Sequence, residues 1–225
     1  MRNIEISVGE HYHLYSRGVR RENIFIDEDD RIRFVFLILH MQSNTTLFHI
    51  RKNVTSFKKY KSFIPHRSTL KTIASERTVE LVNFALMNNH FHLTAKEIRE
   101  GGISKYLHRV LTSYSKYFNI KYKRTGYLFE SRFQAVHVTS NEQLLHLSAY
   151  IHKNPTEIPE WHGRERDYPW SSLTDYCGES RWGELLQSDI ILGQFPAKDD
   201  YKKFIETSKA KEVKTKLGDT HLFTA

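Results

Sequence analysis

His90-Phe91-His92 sets two imidazoles two residues apart. On a β-strand such side chains share a face, and two neutral imidazoles so placed can hold one divalent cation between them. The same spacing recurs at His11-Tyr12-His13 among thirteen histidines, so the bare pair reads first as solvent-facing strand histidines. A second constellation lies in the run HLSAYIHKNP, where Tyr150 and Asn154 stand four residues apart and therefore on one face of a helix. A phenol beside an amide oxygen supplies a nucleophile and a metal ligand on one rigid element. Of the twelve tyrosines, Tyr150 alone is followed four residues later by Asn, Gln, Asp or Glu. The plainer reading is an interfacial aromatic with Asn154 at a helix end. His152, two residues from Tyr150, falls on another face and reads as structural. Arg132, in the run GYLFESRF, and Arg17, before Gly18, could each hold a phosphate in a bidentate fork, or be ordinary surface arginines.

These groups need elements to carry them. Residues 10–19 alternate and end in Arg-Gly, which reads as a strand entering a turn. From Asp27 to about Met41 a helix is expected, acidic at its N-terminal end and apolar at Ile32, Phe34, Val35, Leu37, Ile38 and Leu39. Residues 43–78 read as a partly irregular basic insertion, or a strand followed by a loop. TVELVNFALM and HFHLTA then alternate about Asn88-Asn89, the pattern of an antiparallel hairpin. Residues 103–122 read as an amphipathic basic helix, and 127–138 as extended. Asn141 is placed as the cap of a helix running to about Asn154, where Pro155 disfavours continuation. After a turn region, RDYPWSSLTDY, a short helix is expected near 199–209. The order implies an α+β chain, a mostly antiparallel sheet in a ferredoxin-like arrangement with helices packed on it and a C-terminal extension. The last part of the chain, 179–225, reads as an added extension, expected to be helical.

Composition narrows the partner. The chain has 225 residues, 39% hydrophobic and 27% charged, an ordinary globular balance. No apolar window approaches the length of a membrane span, and the N-terminal residues carry no apolar signal-peptide core. A single cysteine, Cys177, excludes a disulfide scaffold or a multi-cysteine zinc site and fits the cytoplasm. The formal charge of +8 is concentrated. Eight basic residues against Glu76 lie between Arg51 and Arg77, and seven against Glu130 between Gly101 and Phe133. Both stretches interleave aromatics, a combination that suits phosphates and unpaired bases, although solvated helix faces would read the same way.

Five blocks in order, HYHLYSRGVRRENIF, FALMNNHFHL, YFNIKYKRTGYLFESRF, LLHLSAYIHKNP and YPWSSLTDY, resemble the single-tyrosine, IS200-like HUH transposases. They are most similar to the REP-associated tyrosine transposases. The resemblance covers about residues 8–178. The family's Met-Pro-Asn-His has Asn88 in place of proline, a change expected to alter the turn and not the ligands. Residues 51–77 are longer than the family pattern, and 179–225 match it loosely.

The resemblance implies His90 and His92 as the metal pair, leaving His11 and His13 to the first strand. It also implies Tyr150 as catalytic nucleophile and Asn154 as third ligand, the same two residues that the helical spacing selects. The implied cofactor is a divalent metal, Mg²⁺ or Mn²⁺, and the implied activity is cleavage and rejoining of single-stranded DNA through a 5′-phosphotyrosine. Its partner would be DNA carrying a hairpin or imperfect palindrome, bound by a monomer or homodimer. Arg17, Lys121, Lys123, Arg124 and Arg132 are the expected phosphate contacts. Two other readings stand beside it: a domesticated hairpin-binding protein with weak or no recombination, and an RNA-binding ferredoxin-like protein.

Overall fold

The described residues form four strands: β1 (His11–Arg17), β2 (Val79–Leu86), β3 (His90–Glu97) and β4 (Gln134–Val138). The computed structural model describes residues 5–63 and 67–210. Every strand pairing is antiparallel, and the sheet order is β2-β3-β1-β4. Between β1 and β2 run α1 (Glu28–His40), α2 (Ile50–Tyr60) and α3 (Arg67–Ser75), and α4 (Gly102–Lys121) joins β3 to β4. This is the expected α+β, ferredoxin-like connectivity.

The sheet is buried on both faces, by different layers. On one, Phe91 of β3 meets Phe34 of α1, with ring centroids 5.0 Å apart, and Phe34 meets Tyr114 of α4 at the same separation. Each side chain fully buried there contributes roughly 1.5–3 kcal/mol. The opposite face, carrying His90 and His92, is covered by α5 (Asn141–His152). Behind α5 pack α6 (Leu173–Cys177), α7 (Asp189–Leu192) and α8 (Lys198–Thr207). Trp182, Leu185, Ile191, Tyr201 and Ile205 belong to the same hydrophobic core as the sheet, so the described part of the extension is integral to it. The expectation for 211–225 lies outside the described residues.

Boundaries differ from expectation where a polar contact decides them. The acidic run caps α1: the Asp27 carboxylate accepts from Asp30 N–H, and Asp30 answers the Asp27 N–H. Ser140, rather than Asn141, caps α5, its hydroxyl accepting from Gln143 N–H at 3.1 Å. In place of a strand or irregular insertion, the described residues of 43–78 form α2 and α3. Val54 and Phe57 are buried on one side of α2 while the basic residues face outward, a helical period that the dense charge obscures. Only Gln134–Val138 of the extended stretch is strand. A feature unseen in the sequence starts α4: the buried Glu97 carboxylate accepts from Gly102 and Ile103 N–H at 2.9 and 2.6 Å, a negative charge on a helix N-terminus.

Candidate active site

The β2–β3 turn is the anchor of the site. Gly18 N–H donates to Asn89 O at 2.8 Å, and Ile24 and Phe25 N–H donate to Asn88 O at 3.0 and 3.2 Å. The Arg31 guanidinium donates to Asn88 Oδ1 at 2.8 Å, which gives the residue standing in place of proline a bracing role. Gly18 is required by close approach, since a Cβ there would lie 2.2 Å from Glu22 O.

This brace also sets the chemistry of His90. Asn89 Nδ2 donates to the Arg21 carbonyl at 3.0 Å, which turns Asn89 Oδ1 toward His90 Nδ1, 2.7 Å away. A carboxamide oxygen only accepts, so His90 Nδ1 carries the proton and, in the neutral ring, Nε2 carries the lone pair. Two residues on, His92 engages through Nδ1, 2.8 Å from His13 Nε2, which leaves Nε2 as its candidate donor atom. The two rings stand perpendicular with centroids 5.0 Å apart. Neutral imidazoles presented through Nε2 and oriented by polar neighbours suit a divalent cation, so the pair fits the expected metal.

Helix α5 brings the phenol. Tyr150 stands edge-on to His92, with centroids 5.5 Å apart, and to His13 at 6.0 Å. Asn154, in the 3-10 turn that follows, is buried and directs Nδ2 back to the Tyr150 carbonyl at 2.9 Å. The amide oxygen, the atom expected to ligate, therefore points the other way. Among the described residues no three His, Cys, Asp or Glu side chains gather for a metal, so a cation on the histidine pair needs a ligand of another type, such as a carboxamide. On the far face of α5, His152 bonds the Tyr201 hydroxyl at 2.6 Å and Ser172 Oγ at 2.8 Å. Burial pushes its pKa down to about 3, consistent with a structural role.

The expected phosphate contacts separate into two groups. Arg17 is the strand partner of His90 and shares its face. Lys123 and Arg132 are exposed; the segment before Arg132 pairs with the end of β1 through Gly18–Phe129 and Glu130 N–H to Arg17 O. Lys121, by contrast, lies 2.7 Å from both Asp27 and Asp30. Burial opposes its charge, but those bonds outweigh burial and hold the ammonium well above the usual lysine range. Arg124 pairs with Glu22 at 2.7 Å. These two cations brace α4 against the segment that supports the turn.

Two residues missed from the sequence complete the site. His13, assigned only to the first strand, contacts His92 directly, and Tyr15, the strand partner of His92, has its ring 5.8 Å from that imidazole. The available signal was the His-x-His of β1, which antiparallel pairing sets on the same face as the second.

Residues 9–154 match the family model described as "Transposase IS200 like", a span that contains every residue of the cluster. Among solved structures the chain is similar to a REP-associated tyrosine transposase bound to a REP hairpin. The identity is 13%, the TM-score 0.51, and the alignment covers 84% of this chain and 92% of that one. At that identity the likeness is one of fold. No curated protein matches the chain. Among the described residues no helix is long and apolar enough to cross a membrane.

Proposed function

Because this chain belongs to the IS200-like transposase family, we propose that it cuts and rejoins single-stranded DNA beside a hairpin, with Tyr150 as nucleophile and His90, His92 and Asn154 as ligands of a divalent cation, Mg²⁺ or Mn²⁺. The observation that carries this reading is the packing of Tyr150 against His92, 58 positions away in the chain.

When bound, the cation would polarise the scissile phosphate and stabilise the charge that develops on its oxygens. The Tyr150 oxygen forms a bond to phosphorus as the bond from phosphorus to the 3′-oxygen breaks. The phenolic proton passes to solvent, and the departing 3′-oxygen takes one up as a hydroxyl. The product is a 5′-phosphotyrosine. A phenol has a pKa near 10, so phenolate departs readily when a 3′-hydroxyl attacks, and the strand is rejoined without an external energy source. His152, buried and bonded elsewhere, takes no part in proton transfer.

Arg17, next to His90, is proposed to hold the scissile or adjacent phosphate, with Lys123 and Arg132 along the incoming strand. Lys121 and Arg124 support the site through their carboxylate partners. The basic faces of α2 and α4 would take the backbone of the hairpin. Lys58 and Lys61 of that region pair with Asp29 and Glu28, whereas Arg51, Lys52 and Lys59 are exposed. The similar solved structure, bound to a REP hairpin, supports an imperfect palindrome as ligand. The chain is proposed to act in the cytoplasm, as a monomer or homodimer, with residues 1–178 as the catalytic domain and 179–225 as a C-terminal extension.

The test is incubation with end-labelled hairpin DNA and Mn²⁺, followed by denaturing electrophoresis. A denaturation-resistant adduct is expected, lost in Tyr150→Phe and in EDTA while hairpin binding survives. Binding by the wild-type chain with no adduct would overturn the catalytic reading and leave a hairpin-binding protein. Cleavage giving a free 5′-phosphate would indicate metal-activated water instead.

A further inference from the structure

We propose that His13 is a positioning residue that selects the tautomer of His92: its Nε2 accepts the Nδ1–H of His92 and keeps the His92 Nε2 lone pair directed toward the cation. The inference rests on the metal reading above for its purpose, though not for its geometry.

His13 and His92 are not strand partners; His13 lies opposite Thr94, and His92 opposite Tyr15. The contact is the diagonal one across a strand pair, within reach of long side chains. It joins two residues that are 3% and 5% exposed, so water does not compete freely for the bond. His13 is held by rings on several sides: Tyr15 at 5.0 Å, His92 at 5.0 Å and Tyr150 at 6.0 Å between centroids.

Two neutral imidazoles joined by one N···N hydrogen bond have two arrangements. If His13 donates, His92 carries its proton on Nε2 and presents an N–H to a cation. If His92 donates, Nε2 holds a lone pair and can ligate. Only the second is compatible with a metal on His92, and it requires His13 to carry its own proton on Nδ1. His90 reaches the same state by another route, because Asn89 Oδ1 can only accept. The two ligands are thus oriented from different strands, His90 by its own turn and His92 by β1. Outer partners of metal-bound histidines typically change metal affinity 10- to 100-fold when removed.

The experiment uses the full-length chain labelled with ¹⁵N-histidine, metal-free, at a pH above the ordinary imidazole range. The His92 signals are assigned by their absence in His92→Gln. Imidazole ¹⁵N shifts should show His92 protonated on Nδ1; protonation on Nε2 would overturn the proposal. This readout needs no metal, so it fails independently of the metal reading, which fails if wild-type chain takes up no Mn²⁺. Calorimetric titration with Mn²⁺ then compares His13→Phe, which keeps a ring without an acceptor, and His13→Gln, whose amide oxygen can accept. A loss of about 10- to 100-fold in Mn²⁺ affinity is expected for His13→Phe, with substantial recovery in His13→Gln. Wild-type affinity in a folded His13→Phe would overturn the proposal. Should His13→Phe not fold, the wild-type tautomer and His13→Gln still decide.

Discussion

The ring of Tyr150 stands edge-on to the imidazole of His92, with centroids 5.5 Å apart and planes at 80°. One residue comes from the helix that crosses the sheet and the other from a central strand, so the contact depends on the whole fold. Tyr150→Phe preserves this ring packing and removes only the hydroxyl. Stability should change by no more than about 1–2 kcal/mol and hairpin affinity should hold, while covalent capture disappears. Urea unfolding, a binding titration and denaturing electrophoresis on one preparation check all three.

The next phenol by position is Tyr15, because its ring lies 5.8 Å from that of His92. Tyr114 sits on the opposite side of the sheet and donates to Ile24 O; Tyr117 is bonded to Asp30. An adduct surviving in Tyr150→Phe should therefore be lost in the double variant with Tyr15→Phe and not in one with Tyr114→Phe.

His90→Ala and Asn154→Ala each remove a proposed ligand from different ends of the site. Each should weaken Mn²⁺ binding at least 10-fold by calorimetry, comparable to or beyond loss of an outer partner. Asn154→Ala also removes the bond to the Tyr150 carbonyl, costing about 1 kcal/mol of stability. Equal Mn²⁺ affinity in a folded Asn154→Ala would remove it from the ligand set.

Salt dependence separates phosphate-binding cations from braces. Arg17→Ala, Arg132→Ala and a Lys52/Lys59 double alanine should each flatten the plot of log affinity against log salt, by about 0.7–0.9 for every phosphate left without its cation. Lys121→Ala should leave that slope unchanged and lower stability, since its ammonium faces Asp30, whose side chain is fully buried. A change in slope for Lys121→Ala would return it to the DNA surface.

Two buried histidines give the fold an acid sensitivity. Burial lowers His152 to about 3 and His40 to about 4, the latter partly opposed by its bond to Phe36 O. Between those values and the ordinary imidazole value the unfolded chain binds more protons, so stability falls as pH drops below about 6.5. Each group contributes a slope of about 1.4 kcal/mol per pH unit within its window. Urea midpoints at pH 7.5, 6 and 5 should show the decline, and His152→Gln should remove one histidine's share of it.

Local pattern carried much of this molecule and long-range pairing carried the rest. Strand alternation at TVELVNFALM and HFHLTA and the spacing of Tyr150 and Asn154 are visible within ten residues. The fate of Lys121 is not, because its partners Asp27 and Asp30 lie more than ninety positions away. His13 was visible as one of two His-x-His pairs, yet only the register of β1 against β3 brings them together. Helices α2 and α3 were obscured because few apolar residues are spread among many cations, and the burial of Phe57 and Val54 depends on packing partners elsewhere in the fold.

In the proposed reaction the Tyr150 oxygen becomes bonded to DNA phosphorus. The direct measurement is mass spectrometry of the adduct formed with a hairpin substrate and Mn²⁺, after nuclease trimming and proteolysis. A 5′-phosphonucleotide is expected on the peptide containing Tyr150, with a free 3′-hydroxyl on the released strand. The same mass on a peptide containing Tyr15, or a cleaved strand ending in 5′-phosphate with no modified peptide, would contradict it.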